Sequence, residues 1–275
     1  MTAPLLKWVG GKRQVLDHIV PALPRSIGRY FEPFAGGLAV YLALREINRA
    51  VGLNAVLADV NQELVDFYRA VRASPAAVHA SYASMFETYK VEPECVYYSI
   101  RDDMPLAMSS EAARAARTLF LNKHGFNGVY RVNAAGGFNV PWGKRKAVAI
   151  ELAEFTTFAK ALRSADLSSE DFEAVLEEAD ENDFAFLDPP YDGTFDSYTA
   201  TGFDAADQVR LARVCVELDD RGARFMLTNS DTPRVRDLYA RFDIRPLFEA
   251  RAVNADPTNR GKVACLLIRN YKDGV

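Results

Sequence analysis

Apolar and polar positions along the chain follow two periods, which predict strands that alternate with helices. Short continuous apolar runs mark the strands, and apolar residues three or four positions apart mark the helices. The predicted strands are 29–35, 55–58, 166–167, 184–187, 224–227, 244–252 and 263–268. The helices predicted between them are 38–47, 61–72, 171–179, 205–219 and 233–242. Such alternation is typical of a parallel sheet that is covered by helices on both faces.

The last two predicted strands break this pattern, because a turn at 254–262 joins them without a helix. Strands that are joined by a turn pair in antiparallel fashion. The expected fold class is therefore α/β, with a Rossmann-like doubly wound sheet whose last strand is antiparallel.

The alternation also stops between residues 74 and 150. Helical patterns at 75–89, 95–101 and 110–123 precede a stretch from Gly125 to Gly143 that is rich in Gly and Asn and contains interleaved aromatic residues. We interpret this region as a helical subdomain that carries an exposed loop or hairpin. The predicted organisation is a sheet domain in two parts, 1–73 and 151–275, around an insertion at 74–150.

Composition adds limits to this picture. A chain of 275 residues accommodates one large α/β domain with an insertion, or two domains. No apolar run approaches the ~20 residues that span a bilayer. Cys95, Cys215 and Cys265 are few and far apart, which predicts neither a disulfide framework nor a zinc site. We expect a cytoplasmic protein with no metal and no membrane contact.

Charge is unevenly distributed along the chain. The formal net charge is -4, yet residues 112–150 contain no Asp or Glu. The basic residues of this window are Arg114, Arg117, Lys123, Arg131, Lys144, Arg145 and Lys146. A local basic face of this kind can bind phosphate whatever the total charge, so the insertion is a candidate nucleic-acid surface.

The strand at 184–187 is followed at once by Asp188, Pro189, Pro190 and Tyr191. Ligands of open α/β sheets bind just beyond the carboxyl ends of strands. A carboxylate, a free carbonyl and an aromatic ring at that point suit the methylation of a planar exocyclic amine, whose lone pair is delocalised into its ring. The Asp188 carboxylate and the Pro189 carbonyl are candidate acceptors for the two amine N–H bonds, and Tyr191 is a candidate stacking surface. An ordinary Asp-Pro turn is the alternative.

Two glycine pairs mark further candidate ligand-binding turns. Gly36-Gly37 lies between a predicted strand and a helix, and Asp59 ends the next strand 23 residues after Gly36. This spacing is typical of an acid that binds ribose hydroxyls; the alternative role for Asp59 is a helix cap. Gly10-Gly11 allows close approach of a ligand, and Trp8 is either a stacking surface for adenine or a core anchor.

Together these segments resemble the Dam-type DNA adenine methyltransferases, the D12 class of S-adenosylmethionine-dependent enzymes. The resemblance covers nearly the whole chain in the family's order. Its segments are 6–12 (LKWVGGK), 32–37 (EPFAGG), 57–61 (LADVN), 121–143 with its NG, Arg and FNVPWG elements, and 188–191 (DPPY). It implies a methyltransferase sheet with an inserted target-recognition subdomain, S-adenosylmethionine as the cofactor, and double-stranded DNA as the partner of a monomer.

The resemblance also implies roles for individual residues. The residues implied in catalysis and in binding a flipped adenine are Asp188, Pro189, Pro190 and Tyr191. The implied cofactor-binding residues are Trp8, Gly10, Lys12, Phe34, Gly36, Asp59 and Asp188. The implied DNA-binding residues are Lys7, Phe126, Asn127, Val129, Arg131, Pro141, Lys144 and Arg145. No metal is implied.

The same family implies methyl transfer to the N6 amine of adenine in GATC. Arg131 would bind a guanine edge in the major groove. The chain departs from the family at Leu38, which replaces a glycine, and at Phe126 and Arg145, which replace other aromatic residues. A related short site that contains an adenine is therefore the alternative target.

Two other functions remain as alternatives. Methyltransferases of protein amides usually carry Asn in place of Asp188 and lack a basic recognition insert. A DNA-binding relative without activity is disfavoured by the intact 188–191 segment and by Lys12.

Overall fold

The computed structural model describes residues 2–47, 53–104, 109–133, 135–193, 202–250 and 262–272, without the side chains of 248–250 and 262–264. These residues form a seven-stranded sheet in the order β3-β2-β1-β4-β5-β7-β6. The strands are β1 (Tyr30–Glu32), β2 (Ala55–Ala58), β3 (Ala165–Ser168), β4 (Phe184–Leu187), β5 (Arg224–Ser230), β6 (Asp243–Ala250) and β7 (Lys262–Arg269). Neighbouring strands are parallel except β7, which is antiparallel to both β5 and β6. The predicted fold class is confirmed.

Helices cover the sheet in the predicted order. They are α1 (Leu16–Ile19), α2 (Ala39–Glu46), α3 (Gln62–Ala73), α4 (Pro75–Val91), α5 (Pro93–Tyr98), α6 (Glu111–His124), α7 (Leu152–Ala161), α8 (Phe172–Glu177), α9 (Ala205–Asp220) and α10 (Pro233–Leu238). In the described part of the chain, none of them has the length and apolar character of a bilayer-spanning helix.

Several predicted element boundaries were wrong by a few residues. β1 ends at Glu32 and not at residue 35, because Pro33 lacks the N–H that a central strand would need. β5 continues to Ser230, since it pairs with β7 as far as Cys265. The helix that begins at Pro233 ends at Leu238 and not at residue 242. The predicted turn at 254–262 lies outside the described residues, apart from Lys262 at the start of β7.

Strand β4 is central because its side chains are buried on both faces of the sheet. Phe184 and Phe186 pack into one apolar cluster, and Ala185 and Leu187 pack into the cluster on the opposite face. All four side chains are at most 1% exposed. The uninterrupted apolar run of this strand therefore reflects its position between β1 and β5.

The insertion packs directly onto the sheet domain. Helices α4 and α6 contact each other, and α6 also contacts α3. The buried side chains of α4 and α6, including Tyr82, Tyr89 and Phe120, share one apolar cluster with α2, α3 and α7. The surface that the insertion presents is thus held in a fixed position relative to the carboxyl edge of the sheet.

A carboxyl group is buried at the end of β1. Glu32 is 3% exposed, and the Tyr30 hydroxyl donates a 2.7 Å hydrogen bond to its Oε2. Burial raises the pKa of Glu32, the Tyr30 hydrogen bond lowers it, and nearby Asp188 raises it again; together they shift the pKa from 4.5 to about 8. The folded protein therefore holds Glu32 protonated at neutral pH.

Glu32→Gln should flatten the dependence of stability on pH. The folded pKa is raised above the unfolded value, so the contribution of Glu32 to stability is fully present below pH 4.5 and is lost as pH rises through about 8. Between these values the wild type should lose about 1.4 kcal/mol of unfolding free energy per pH unit relative to the variant. Urea unfolding of both proteins from pH 5.5 to 7.5 measures this difference; parallel curves would show that Glu32 is ionised in the fold.

Candidate active site and nucleic-acid interface

The carboxyl ends of three parallel strands bring the predicted chemical groups to one edge of the sheet. β1 leads into the turn at Gly36, β2 ends before Asp59, and β4 ends before Asp188. Since β1 pairs with both β2 and β4, these groups meet although they are far apart in sequence.

Asp188 is held by a buried cation and a hydroxyl. Its Oδ1 lies 2.8 Å from Lys12 Nζ and accepts a 2.7 Å hydrogen bond from the Thr228 hydroxyl. Lys12 is 3% exposed, and its Nζ also donates to the Gly10 carbonyl at 2.6 Å. Both contacts that the described residues make with the carboxylate converge on Oδ1, so Oδ2 is the oxygen that remains for a substrate.

Tyr191 lies on the other side of Lys12. The Lys12 Nζ is 4.9 Å from the centroid of the Tyr191 ring, within the range of a cation–π contact. One buried ammonium group thus contacts the carboxylate and the aromatic ring of the 188–191 segment and a carbonyl of the N-terminal glycine pair. The structure brings Gly10, Lys12, Asp188 and Tyr191 together.

Asp59 holds the glycine turn after β1. Its Oδ2 accepts from the Gly36 N–H and its Oδ1 accepts from the Asn61 N–H, both at 3.0 Å. Gly36 has φ 44°, and a Cβ at this position would lie 2.9 Å from Trp8 Cδ1. The close approach of Trp8 therefore requires glycine here.

The alternative role of Asp59 as a helix cap is wrong. Helix α3 is capped by Asn61, whose side-chain oxygen accepts from the Leu64 N–H at 3.1 Å. Asp59 instead orders the backbone before the helix. The Nδ2 of Asn61 is buried without a partner among the described residues, which leaves a hydrogen-bond donor beside the Asp59 carboxylate.

Leu38, where the sequence departs from the family's glycine pattern, adopts a backbone conformation that favours glycine. Its φ and ψ are 60° and 27°, in the left-handed region, and its side chain is fully buried. This conformation costs roughly 1–2 kcal/mol for a residue with a Cβ. Burial of the leucine side chain offsets a cost of that size, so the turn keeps its shape without the last glycine.

Phe34 packs in a small cluster of aromatic rings. Its ring stacks on Phe172 at 5.4 Å and meets the edge of Phe203 at 5.8 Å, on the side of the sheet covered by α8 and α9. In the described ranges, no group of His, Cys, Asp and Glu has an arrangement that could hold a metal ion.

The Gly- and Asn-rich stretch forms a hairpin over its described residues. The Phe126 N–H donates to the Pro141 carbonyl at 2.9 Å, and the Asn133 N–H donates to the Gly137 carbonyl at the same distance. Bridges Gly125–Trp142 and Val132–Phe138 align the two arms. Residue 134 lies outside the described part.

Arg131 is fixed across this hairpin. Its Nε donates to Asn139 Oδ1 at 2.7 Å and its Nη2 donates to the Asn139 carbonyl at 3.1 Å, while the residue stays exposed. The exposed Lys7 joins the hairpin, since its Nζ donates to the Asn127 carbonyl at 2.7 Å. Burial and nearby Arg145 lower the pKa of Lys7, which indicates that two cations lie close together.

The other predicted DNA-binding residues lie on or beside the same hairpin. Phe126, Pro141 and Lys144 are exposed, and Val129 and Arg145 are half-buried. Lys144 adopts φ 52°, and the Arg145 carbonyl accepts a 2.6 Å hydrogen bond from the Tyr89 hydroxyl. These residues are therefore close to the hairpin in sequence, and each is at least partly accessible to solvent.

Sequence reasoning missed the residues that join the hairpin to the glycine turn. Tyr130 stacks on Trp8 with ring centroids 5.6 Å apart, and its hydroxyl donates to Glu63 Oε2 at 2.7 Å. Glu63 also accepts from the Thr118 hydroxyl on α6. The only signal in the sequence was the aromatic residue beside Arg131; nothing marked Glu63 beyond its place in the first turn of α3.

Two buried polar residues fix the root of the hairpin, and these were also missed. Asn122 accepts from the Lys7 N–H and donates to the carbonyls of Lys7 and Gly128. His124 Nδ1 contacts the Phe120 carbonyl at 2.9 Å, and its Nε2 accepts from the Val148 N–H at 3.3 Å. Burial lowers the pKa of His124 to about 4, so the ring is neutral at neutral pH, with its proton on Nδ1.

Comparison with known proteins gives the chain a family. The model of the D12 class N6 adenine-specific DNA methyltransferases matches residues 8–253. The type II methyltransferase M1.LlaDCHI of Lactococcus lactis subsp. cremoris is 36% identical, over 98% of this chain and 95% of its own. The DNA adenine methylase of Escherichia coli K12 is 31% identical, again over 98% and 95%. The DNA N-6-adenine-methyltransferase of Escherichia phage P1 is 35% identical over 94% of this chain and 34% of its own.

The family match includes the glycine turn, Asp59, the hairpin and the Asp188 segment, and the first two relatives align along almost their full lengths. The chain therefore belongs to the D12 class of N6 adenine-specific DNA methyltransferases.

Proposed function

We propose that the protein transfers a methyl group from S-adenosylmethionine to the N6 amine of an adenine that is flipped out of duplex DNA, and that its target is GATC. The observation that carries the proposal is the fixed carboxylate of Asp188. One oxygen is held by Lys12 and Thr228, and the same lysine lies 4.9 Å from the centroid of the Tyr191 ring.

The groups around Asp59 fit a nucleoside-bearing methyl donor. The Asp59 carboxylate accepts two backbone N–H groups, which orient it at the end of β2, where a ribose would bind. The buried Nδ2 of Asn61 is an unsatisfied donor, and Val60 exposes half of its apolar side chain at the same place. When bound, S-adenosylmethionine would supply an activated methyl group on a sulfonium, so no covalent enzyme intermediate is needed.

Asp188 and Pro189 would act on the amine itself. The Asp188 Oδ2 and the Pro189 carbonyl accept its two N–H bonds, which draws the nitrogen lone pair out of conjugation with the ring. Positive charge develops on the nitrogen during transfer, and the ionised carboxylate stabilises it. Lys12 and Thr228 hold the carboxylate in place by its other oxygen, so little reorganisation is required.

Base flipping follows from the shape of duplex DNA. A stacked adenine cannot present its amine to groups at the edge of a protein sheet, and extrusion costs a few kcal/mol. Stacking on Tyr191 would return part of that energy. The hairpin surface beside the site supplies the cations for phosphate contact.

The hairpin supports a target that contains a guanine, as GATC does. The guanidinium of Arg131 is held along one edge by Asn139, which fixes its plane for a bidentate contact with a guanine. Lys7, Lys144 and Arg145 add positive charge on or beside the hairpin. The E. coli relative is named a DNA adenine methylase, which agrees with the proposed reaction.

The wild type should place a methyl group on adenine N6 in duplex DNA. Asp188→Asn should retain less than about a tenth of the methylation rate, which corresponds to a loss of more than ~1.4 kcal/mol of transition-state stabilisation. The neutral amide oxygen is a weaker acceptor for developing positive charge. Nucleoside analysis of DNA labelled with methyl-tritiated S-adenosylmethionine measures both. Methylated cytosine alone, or no methylated base, would overturn the reaction.

Asp183→Asn is the matched control. Asp183 immediately precedes β4, whereas Asp188 immediately follows it. The Asp183 Oδ2 lies 2.8 Å from Arg29 Nη2, so this variant also removes the negative charge from an ion pair. It should keep the rate within about twofold. If both variants lose activity equally, the effect of Asp188→Asn reports stability and not catalysis.

Asp59→Ala should weaken S-adenosylmethionine binding roughly 10- to 150-fold, because a charged hydrogen bond is worth roughly 1.5–3 kcal/mol. Isothermal titration calorimetry measures the affinity. Asp66→Ala, on the exposed face of α3, should bind like the wild type. Unchanged affinity in Asp59→Ala would restrict Asp59 to anchoring the N–H groups of Gly36 and Asn61.

Arg131→Ala should relax the preference at one guanine of the target, since a bidentate arginine contributes ~1–3 kcal/mol of discrimination. Lys144→Ala should instead weaken all sequences about equally and lower the salt slope of binding by roughly one unit. Methylation-sensitive sequencing of treated DNA measures preference. Methylated adenines outside GATC would contradict the proposed target sequence. An unchanged preference in Arg131→Ala would contradict the proposal that the hairpin recognises the target.

A further inference from the structure

We infer that Gln208 and Asn229 are positioning residues, a buried pair of side-chain amides that fixes the backbone on both sides of Tyr191 and so sets the surface on which the target base stacks. The inference rests on the proposed function, because it assigns to Tyr191 the stacking role given above. Neither residue stood out in the sequence for this purpose.

The pair connects two peptide groups of the catalytic turn. Gln208 Nε2 donates to the Pro190 carbonyl at 2.9 Å. Asn229 Nδ2 donates to Gln208 Oε1 at 2.9 Å, and Asn229 Oδ1 accepts from the Asp192 N–H at 3.0 Å. The chain of hydrogen bonds therefore begins at the peptide before Tyr191 and ends at the peptide after it.

This arrangement restricts both backbone dihedrals of Tyr191. The plane of the 190–191 peptide is fixed through the Pro190 carbonyl, and the plane of the 191–192 peptide is fixed through the Asp192 N–H. With both planes anchored, φ and ψ of Tyr191 have little freedom. The direction in which its side chain leaves the backbone is then set before DNA binds.

The two amides are anchored in rigid elements. Gln208 is 2% exposed in the first turn of α9, and Asn229 is fully buried in β5, opposite Leu266 of β7. The Asn229 Oδ1 also accepts from the Ser230 N–H at 2.8 Å, which fixes the orientation of the amide. A buried polar pair on a helix and a central strand holds the turn more firmly than a loop contact would.

Asp192 reinforces the end of the turn. Its carbonyl accepts from the Ser230 hydroxyl at 2.6 Å, and its carboxylate accepts from the Thr232 hydroxyl at 2.8 Å and from Arg234 at 2.6 Å. These contacts fix residue 192, whereas the amide pair, within the described part of the chain, also reaches back to the carbonyl before Tyr191. Gln208 is thus the residue whose loss should act on Tyr191 most selectively.

Gln208→Met removes both amide contacts and keeps the side-chain length. A displacement of about 1 Å at a stacked substrate can cost on the order of 100-fold in rate. We therefore expect the single-turnover methylation rate to fall about 10- to 100-fold, with S-adenosylmethionine affinity within about twofold of the wild type.

A double-mutant cycle with Tyr191→Ala separates positioning from stability. If Gln208 acts through Tyr191, then Gln208→Met should change the rate less than about threefold in the Tyr191→Ala background. A full loss of rate in both backgrounds would overturn the inference, as would an unchanged rate in Gln208→Met alone. If the methionine variant does not fold, Gln208→Glu can replace it in the cycle. This variant replaces the Nε2 donor by a carboxylate oxygen, which cannot donate to the Pro190 carbonyl when it is ionised.

Cys215→Ala is the matched control, because Cys215 is fully buried on the same helix, about two turns beyond Gln208. It should keep the rate within about twofold at a comparable loss of stability. Hydrogen exchange at the Asp192 amide, measured without DNA, reports how firmly the amide pair holds the turn. The exchange rate should increase in Gln208→Met. A wild type that leaves adenine unmethylated would refute the proposed function, whereas wild-type activity with an unaffected Gln208→Met refutes this inference alone.

Discussion

The site depends on one buried ion pair, between Lys12 and Asp188. An ammonium group that is 3% exposed is costly to remove from water, and the cost is recovered only if its partners are close and well oriented. Lys12 meets this condition through Asp188, the Gly10 carbonyl and the ring of Tyr191. Because the pair joins the N-terminal segment to the turn after β4, the Asp188 carboxylate is oriented by a residue that is far from it in the sequence.

A second set of contacts connects the N-terminal segment to the hairpin. Trp8 lies against Gly36 on one side and stacks on Tyr130 on the other, and the Tyr130 hydroxyl donates to Glu63 on α3. Arg131 is the next residue after Tyr130. The surface assigned to DNA and the turn assigned to the cofactor therefore share a wall of aromatic side chains, and neither can shift far without the other.

Much of the fold was predictable because its signals are local. A continuous apolar run such as 184–187 is required wherever a strand is covered on both faces, and helical spacing marked each covering helix. Strand ends were less predictable, because β5 extends to Ser230 only through its pairing with β7. Leu38 shows the limit of motif matching: the residue type departs from glycine while the left-handed backbone is kept by burial of its side chain.

The sequence by itself determined the order of strands and helices, the basic insertion and the chemical groups at the strand ends, because periodicity and motif order are properties of neighbouring residues. Only the tertiary structure decided which groups meet. Tyr130 and Glu63 are 67 positions apart, Thr228 and Asp188 are 40 apart, and Asn229 and Gln208 are 21 apart. No local pattern encodes such pairs, since each depends on how helices and strands pack against one another, and packing is fixed by the whole core.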